Sequence, residues 1–519
     1  MKNKLKQWTK SLARGVILNR AGTPSTYWLT RTFFLRSLGF IYFFAFLSLV
    51  RQLEGLLSSK GLLPSFLYLQ KLIHHYGGPW SSFFDQPSLF FINCSDPFLF
   101  FFAYLGLVLA ALLMAGIMNI PSLFLLWLIH LSFCSIGQIF YGYGWEMLLL
   151  ETGFLAMFLG PVLKPGLWKT ECAPPKIIFI LLRWLTFRIM FGAGLIKLRG
   201  DPCWHDLTCL IYHYETQPIP NPLSWFLHQL PAAFHYTGVL FNHFVELIVP
   251  FFLFLSRPLR YTGGIFIIFF QFILILSGNL SFLNYLTILI SLSAFDDHIL
   301  KFVVPEKLRQ RVENRMEGKI LHGRKWAIYI YTGVVVLLSI QPVLNLFSSE
   351  QAMNRSFDPF HLVNTYGAFG SVGKVRNEII LEGTTDSLIS DSTVWRTYEF
   401  KYKPGTLSRR PPVIAPYQPR LDWQIWFAAM QTPAQNPWFI HLIYKLLQGD
   451  PIVSQLMDDN PFPEQAPRFI KADLFEYHFT LFKDRTKDWW TRKWAGPYLP
   501  PLSLQNPSLI DYLKRYGLI

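Results

Sequence analysis

Apolar runs long enough to cross a bilayer recur through the first two thirds of this chain, and they limit what it can fold into. A hydrocarbon core ~30 Å thick takes about 20 residues of helix to cross. Nine segments approach that length: 33–50, 97–118, 121–137, 146–163, 177–197, 237–256, 262–278, 280–295 and 327–345. Between the third and fourth, QIFYGYGW (138–145) is polar enough for a re-entrant turn or broken helices. Gly278-Asn279 leaves only a tight hairpin between the seventh and eighth. Charged residues are 15% of the chain, against about 25% in soluble domains. The expected architecture is a polytopic α-helical membrane bundle of about nine spans, followed by a C-terminal α+β extramembrane domain.

Charge gives this bundle an orientation. Of the formal net charge of +15, residues 1–345 carry 13. The excess lies on short loops, which fits membrane orientation and gives no reason to expect a nucleic-acid partner. The lead-in 1–32 is basic, and the loop 296–326 holds eight Lys/Arg, from Lys301 to Lys325. Short basic loops stay cytoplasmic. With nine spans both segments fall on one side, together with Lys164, Lys169, Lys176, Arg257 and Arg260. The loops 51–96 and 198–236 and the domain 346–519 then face outward. A basic leader before an uninterrupted apolar span reads as a signal anchor. Cys203 and Cys209 are the only close cysteine pair on the outer side, where an oxidising compartment would permit a disulfide.

Residues 33–345 therefore form the membrane domain, and 346–519 are long enough for a core of their own. In the latter, 376–384, 393–402 and 471–482 alternate as strands do, while 421–430 and 437–448 repeat apolar residues at helical spacing. Pro-rich links at 409–420, 461–467 and 496–501 separate them. A small sheet with helices beside it, packed on the outer face of the bundle, is the expected result.

No catalytic, cofactor or metal motif is complete. GAFGSVGK (367–374) has Ala368 where a phosphate-binding loop needs glycine, and Val375 where it needs a hydroxyl, so it reads as a glycine-rich turn. His74-His75 has no companion at metal-ligand spacing. No cofactor is expected.

Ionisable residues inside the spans carry more information. Arg36 lies in the first span, Glu146 and Glu151 in the fourth, Arg183, Arg188 and terminal Lys197 in the fifth, and His243 and Glu246 in the sixth. Each costs at least ~2.5–3.5 kcal/mol at membrane depth unless paired or hydrated. Glu146 or Glu151 against Arg183 or Arg188 is the natural pairing. Such a network is either structural glue between helices or the lining of a polar cavity that opens outward near Lys197, unless Lys197 snorkels to the interface. The loop 199–236 that follows holds Trp204, His205, Asp206, Tyr212, His213, Glu215 and Gln217. Their spacing matches no common metal pattern. A hydrogen-bonded lid over the bundle is the better reading, with Asp206 a candidate partner for Lys197.

Several blocks resemble one family. They are 27–64, GWEMLLLETGFLAMFLGP (144–161), 182–231, and, in the outer domain, 364–384, 398–429, 460–480 and WWTRKWAGPYLPPLS (489–503). The chain is similar to lipase maturation factors, membrane proteins of the endoplasmic reticulum that help secreted lipases reach their active, assembled form. The resemblance implies a secreted lipase or other secreted client, and a multi-pass protein of the endoplasmic reticulum membrane (the inner membrane in a bacterium). It supplies no catalytic residues. Trp423 and neighbouring tryptophans would cover a client's apolar surface, with Arg409, Arg410 and Arg420 steering it, unless those tryptophans are the domain's own core. A shorter stretch, AGLIKLRGDPCW (193–204), looks like the segment around the catalytic lysine of vitamin K-dependent gamma-carboxylases. That likeness would make Lys197 a base.

Overall fold

The computed structural model describes residues 25–162, 173–313, 322–484 and 486–519. The first 24 residues of the basic lead-in, Lys164 and Lys169, and Arg315 and Lys319 of the 296–326 loop lie outside the described residues.

Apolar helices occupy the first part of the chain, but fewer qualify as spans than the sequence implied. Among the described residues five are long and apolar enough to cross a membrane: Trp28–Leu57, Asp96–Ala115, Lys176–Arg199, Arg257–Ser277 and Gly323–Phe347. The expected count of nine is not supported at this level. The remaining apolar segments are short or interrupted. Ile120–Ile136 has 17 residues and Gly144–Met157 has 14. Ala232–His243 runs into a π-helical turn, Phe244–Ile248, and a last turn at Val249–Phe252. Leu283–Ser291 has nine residues.

Local sequence sets several of these ends. Pro97 in the first turn and Gly116 in a left-handed conformation (φ 86°) bracket the second long helix. Asn119 accepts a hydrogen bond from the Ser122 N–H at 3.0 Å and starts the next one. The first helix is started by a distant residue. The carboxylate of Asp297 accepts from the Trp28 and Leu29 N–H groups at 2.8 and 2.9 Å. A negative charge there also complements the helix dipole. Thirty residues at 1.5 Å each carry this helix about 45 Å. Near its other end, Gln52 donates to the Gln418 carbonyl at 2.8 Å and accepts from the Arg420 N–H at 2.8 Å. The sheet domain thus sits at the opposite end of the bundle from the 296–297 turn.

That domain is a five-stranded antiparallel sheet in the order β3-β2-β1-β4-β5. The strands are β1 Arg376–Thr384, β2 Arg396–Phe400, β3 Met457–Asp459, β4 Phe469–Phe479 and β5 Trp490–Leu502. Helices Arg420–Ala428 and Pro437–Leu447 pack beside it. The sequence points to β1, β2 and β4. It misses β5, because Pro497, Pro500 and Pro501 read as a link. Proline is tolerated on an edge strand, and β5 is an edge whose pairing with β4 is broken by register shifts.

Candidate functional site

Helix 176–199 is the most buried of the five long helices and carries three buried cations, Arg183, Arg188 and Lys197. Their partners show what the intramembrane charges do. Arg188 is paired with Glu151, both almost wholly buried. Glu151 also accepts from the Asn364 N–H at 3.1 Å, the Asn364 amide at 3.2 Å and the Tyr366 hydroxyl at 2.8 Å. Arg188 donates on to the Asn364 carbonyl at 2.6 Å. The pairing of an acid on the fourth segment with an arginine on the fifth is present, but half of the cluster comes from the segment leading into the C-terminal sheet. Among the described residues Arg183 forms no ion pair with a carboxylate. It donates to the Tyr27 hydroxyl and, at 2.9 Å, to the Ser293 carbonyl.

Glu146 corrects two expectations at once. Its partner is Arg420, at 2.7 Å, with both side chains about 1% exposed. Arg420 also donates to the Phe140 carbonyl at 2.6 Å and lies over the Tyr141 ring at 3.6 Å. It is interior and is not a surface residue for steering a client. Trp423 is interior too, at 4% exposure, edge-on to Trp145 with ring centres 5.0 Å apart. Arg409 is tied to Glu399 at 3.5 Å and also to Asp458. Only Arg410 of that set is exposed, lying over the Trp489 ring at 5.8 Å.

Glu146 also faces His130 at 3.4 Å, and Cys134 lies 3.7 Å from the same imidazole. His130 and Cys134 are four apart on one helix face, and one ligand atom from each of the three residues falls within 4.8 Å of the others. This grouping was not visible in the sequence because Glu146 lies on the next helix. Two features of it work against a divalent ion: Arg420 already neutralises the carboxylate, and its guanidinium would repel a second cation.

Lys197 meets Glu246 and not Asp206. Its ammonium donates to both Glu246 carboxylate oxygens at 2.6 and 2.7 Å and to the Asn242 side-chain Oδ1 at 3.1 Å. The Asn242 amide donates to Glu246 at 3.0 Å, and the Trp204 ring centre lies 5.0 Å from the ammonium. Asn242 and Glu246 share a helix face by their spacing of four. The π-helical turn begins between them, and such turns are frequent at functional sites. A lysine ammonium has three N–H donors. With all three directed at Glu246 and Asn242 and none at the open cavity, nothing here favours Lys197 as a base.

The lid is welded to the sheet. Glu215 accepts from the Phe479 N–H at 2.7 Å and faces His478 at 3.0 Å. Gln217 donates to the Ser277 carbonyl at 2.8 Å. Arg376 of β1 donates to the carbonyls of Glu215 and Pro218 at 2.9 and 3.0 Å and to that of Gln217. The Trp204 indole donates to the Phe369 carbonyl at 2.9 Å. Cys203 and Cys209 are disulfide-bonded. His205 and Asp206 are exposed on the outer turn, His205 donating to the Leu198 carbonyl at 2.8 Å, and Tyr212 lies under the Lys374 ammonium at 5.7 Å. The glycine-rich turn 367–370 is pressed against helix 176–199. A Cβ on Gly192 would stand 2.5 Å from the Tyr366 carbonyl oxygen, and one on Gly200 2.1 Å from that of Gly370.

Two cavities open beneath this lid, of about 400 and 340 Å³. Lys197, Glu246, Asn242, Trp204 and His213 line the first. His213 is buried, and burial together with the Lys197 charge pushes its pKa down to about 4.

A helical bundle with candidate membrane spans, whose buried acids and cations bind the turn, helix and loop 199–236 of a C-terminal sheet domain, defines a class: a multi-helix membrane protein with a C-terminal sheet domain packed on it. Within that class, the chain belongs to the lipase maturation factor family. The lipase maturation factor transmembrane domain matches residues 29–302, and the lipase maturation factor C-terminal domain matches residues 362–500. The chain is 45% identical to lipase maturation factor 1 of Mus musculus over 94% of this chain and 89% of that protein. It is 44% identical to lipase maturation factor 1 of Bos taurus, covering 94% and 91%. Lipase maturation factor 2 of Xenopus tropicalis is 32% identical, covering 94% and 84%. No solved structure matches.

Proposed function

We propose that this chain assists the maturation of secreted lipases or similar secreted proteins, and that the client docks on an aromatic patch where the lid meets the sheet. The relatives' shared name supports the role. The patch is the observation that carries the docking site. Trp225 packs edge-on to Phe482 and Trp489 with ring centres 4.7 and 5.5 Å apart, and Phe226 lies 6.0 Å from Phe482. Phe482 is nevertheless 62% exposed and Phe226 45%. Aromatic side chains and arginine dominate binding hot spots, and Arg410 borders this cluster. The outer domain is lumenal in this reading, in the endoplasmic reticulum of a eukaryote or facing the periplasm of a bacterium. Basic inner loops and a disulfide in the lid both support that orientation. The test is Phe482→Ser with Phe226→Ser, scored by secreted lipase activity in cells lacking the native factor. Activity should fall about tenfold, as loss of a hot spot would give, with the factor's membrane abundance unchanged. Unchanged activity, or a fall that only follows abundance, would remove the patch from the mechanism.

A further inference from the structure

The cavity beneath the lid contains polar groups that the protein itself leaves unsatisfied. Ile189, Ala193, Leu280, Leu283, Ala368 and Phe369 line both chambers, so the two adjoin along a shared wall. Most of that wall is hydrocarbon. Two carboxamides, Asn284 and Gln271, also line the larger chamber and are 2% and 4% exposed. The Asn284 amide has no hydrogen-bond partner among the described residues. Gln271 reaches only the sulfur of Met190, at 3.6 Å, a weak acceptor. Both amides open onto the cavity and are not sealed within its wall, and polar groups that the protein does not satisfy are satisfied by water or ligand. Apolar walls hold water poorly, so a bound molecule with its own apolar surface fits better. Chambers of this size hold drug-sized ligands.

Charge in the same wall selects the head group. Lys197 and Glu246 neutralise each other there. An anionic head would have to draw Lys197 away and leave Glu246 buried without a counter-ion. A cationic head would do the reverse to Lys197. His213, neutral at physiological pH, adds no charge.

We propose that this cavity binds an uncharged lipid with a hydrogen-bonding head, its hydrocarbon body against the apolar walls of the two chambers and a hydroxyl or ester group hydrogen-bonded to Asn284 and Gln271. This goes beyond the maturation role and does not depend on it. The ligand would touch helix 176–199, the 278–284 hairpin and the 368–369 turn of the outer domain together.

The experiment uses the full chain in phosphatidylcholine nanodiscs and a monooleoylglycerol carrying a mid-chain diazirine. Saturable crosslinking is expected on peptides spanning 176–199, 283–294 or 364–372, competed by unlabelled monooleoylglycerol and not by oleate or lysophosphatidylcholine. Asn284→Leu with Gln271→Leu should lower saturable labelling about tenfold, the loss of two ordinary hydrogen bonds. Its thermal midpoint should hold or rise, because an unpartnered amide is replaced by hydrocarbon. Ala193→Leu, which narrows both chambers without touching an amide, should lower labelling independently. Labelling that is not saturable, or that survives both variants, overturns the site. Equal competition by oleate overturns the uncharged head.

Discussion

Arg420→Met is the sharpest test of how the bundle and the C-terminal domain are joined. Sequence logic places Arg420 on a Pro-rich surface, where its loss would cost almost nothing. The structure places it against Glu146 at 2.7 Å, with both side chains about 1% exposed. Methionine keeps much of the volume but leaves a buried carboxylate with no cation beside it and only the His130 imidazole facing it. Breaking a buried pair from one side costs ~3–5 kcal/mol. At about 2 °C per kcal/mol for a large chain, the thermal midpoint should drop by about 6–10 °C. Glu146→Gln should cost a similar amount by stranding the guanidinium. The double variant should be less destabilised than the two singles added together, with a coupling of ~2 kcal/mol or more. The assay is thermal unfolding of detergent-solubilised protein, beside membrane abundance. An Arg420→Met protein of unchanged stability that fails only in lipase maturation would refute this reasoning and return Arg420 to the client surface.

Other outcomes follow from the same contacts. Lys197→Ala should lower membrane abundance by exposing Glu246 to burial without a counter-ion, and Lys197→Ala with Glu246→Leu should recover it; full abundance in the single variant would show the pair to be dispensable. His213 titrates at about 6.5 when unfolded and about 4 when folded, because of burial first and the Lys197 charge second. Its contribution to stability is therefore complete above pH 6.5 and is lost as pH falls toward 4, by at most ~3 kcal/mol. In pH-dependent unfolding, His213→Gln should flatten that part of the profile and leave the profile above pH 7 alone. A topology reporter fused after Ile519 should be active only outside the cytoplasm, and cytoplasmic activity would reverse the orientation.

What the sequence reveals and what it hides divide along a physical line. Local signals worked. Apolar runs mark where helices fall, though only five among the described residues reach membrane length, and alternation marks β1, β2 and β4. Charges at membrane depth announce that partners must exist. They do not say where. Arg420 lies 274 residues from Glu146, in a stretch whose prolines and arginines look solvated. Glu246 was visible as an acid inside a segment. Its pairing with Lys197 involves helix 232–243 and the π-helical turn that follows it, and residue spacing on a regular helix does not show the change of register there. The carboxamides of Asn284, beside a hairpin, and Gln271, within an apolar helix, carry no signature in the sequence that says what they face. Only the shape of the cavity makes them informative.

The buried contacts also bear on whether the two parts can exist separately. Each acid of the fourth apolar segment draws on the C-terminal part of the chain: Glu146 on Arg420, and Glu151 on Asn364 and Tyr366. Ion pairs of this kind add little net stability compared with apolar packing, but removing one side leaves the full desolvation penalty on the other. A chain ending at residue 345 would keep Arg188 for Glu151 but lose that carboxylate's three other donors, and would leave Glu146 with His130 alone. At ~3 kcal/mol or more for the stranded Glu146 and ~1–3 kcal/mol for the under-bonded Glu151, the loss is comparable to the whole stability of an ordinary domain. Expressed alone, residues 1–345 should therefore fail to accumulate in the membrane. Adding Glu146→Gln should raise accumulation in the truncated chain while lowering stability in the full-length one. That opposite sign is the diagnostic, because a general defect of truncation would not reverse with a single carboxylate. Accumulation of the unmodified fragment at full-length levels would show that the bundle satisfies its own charges.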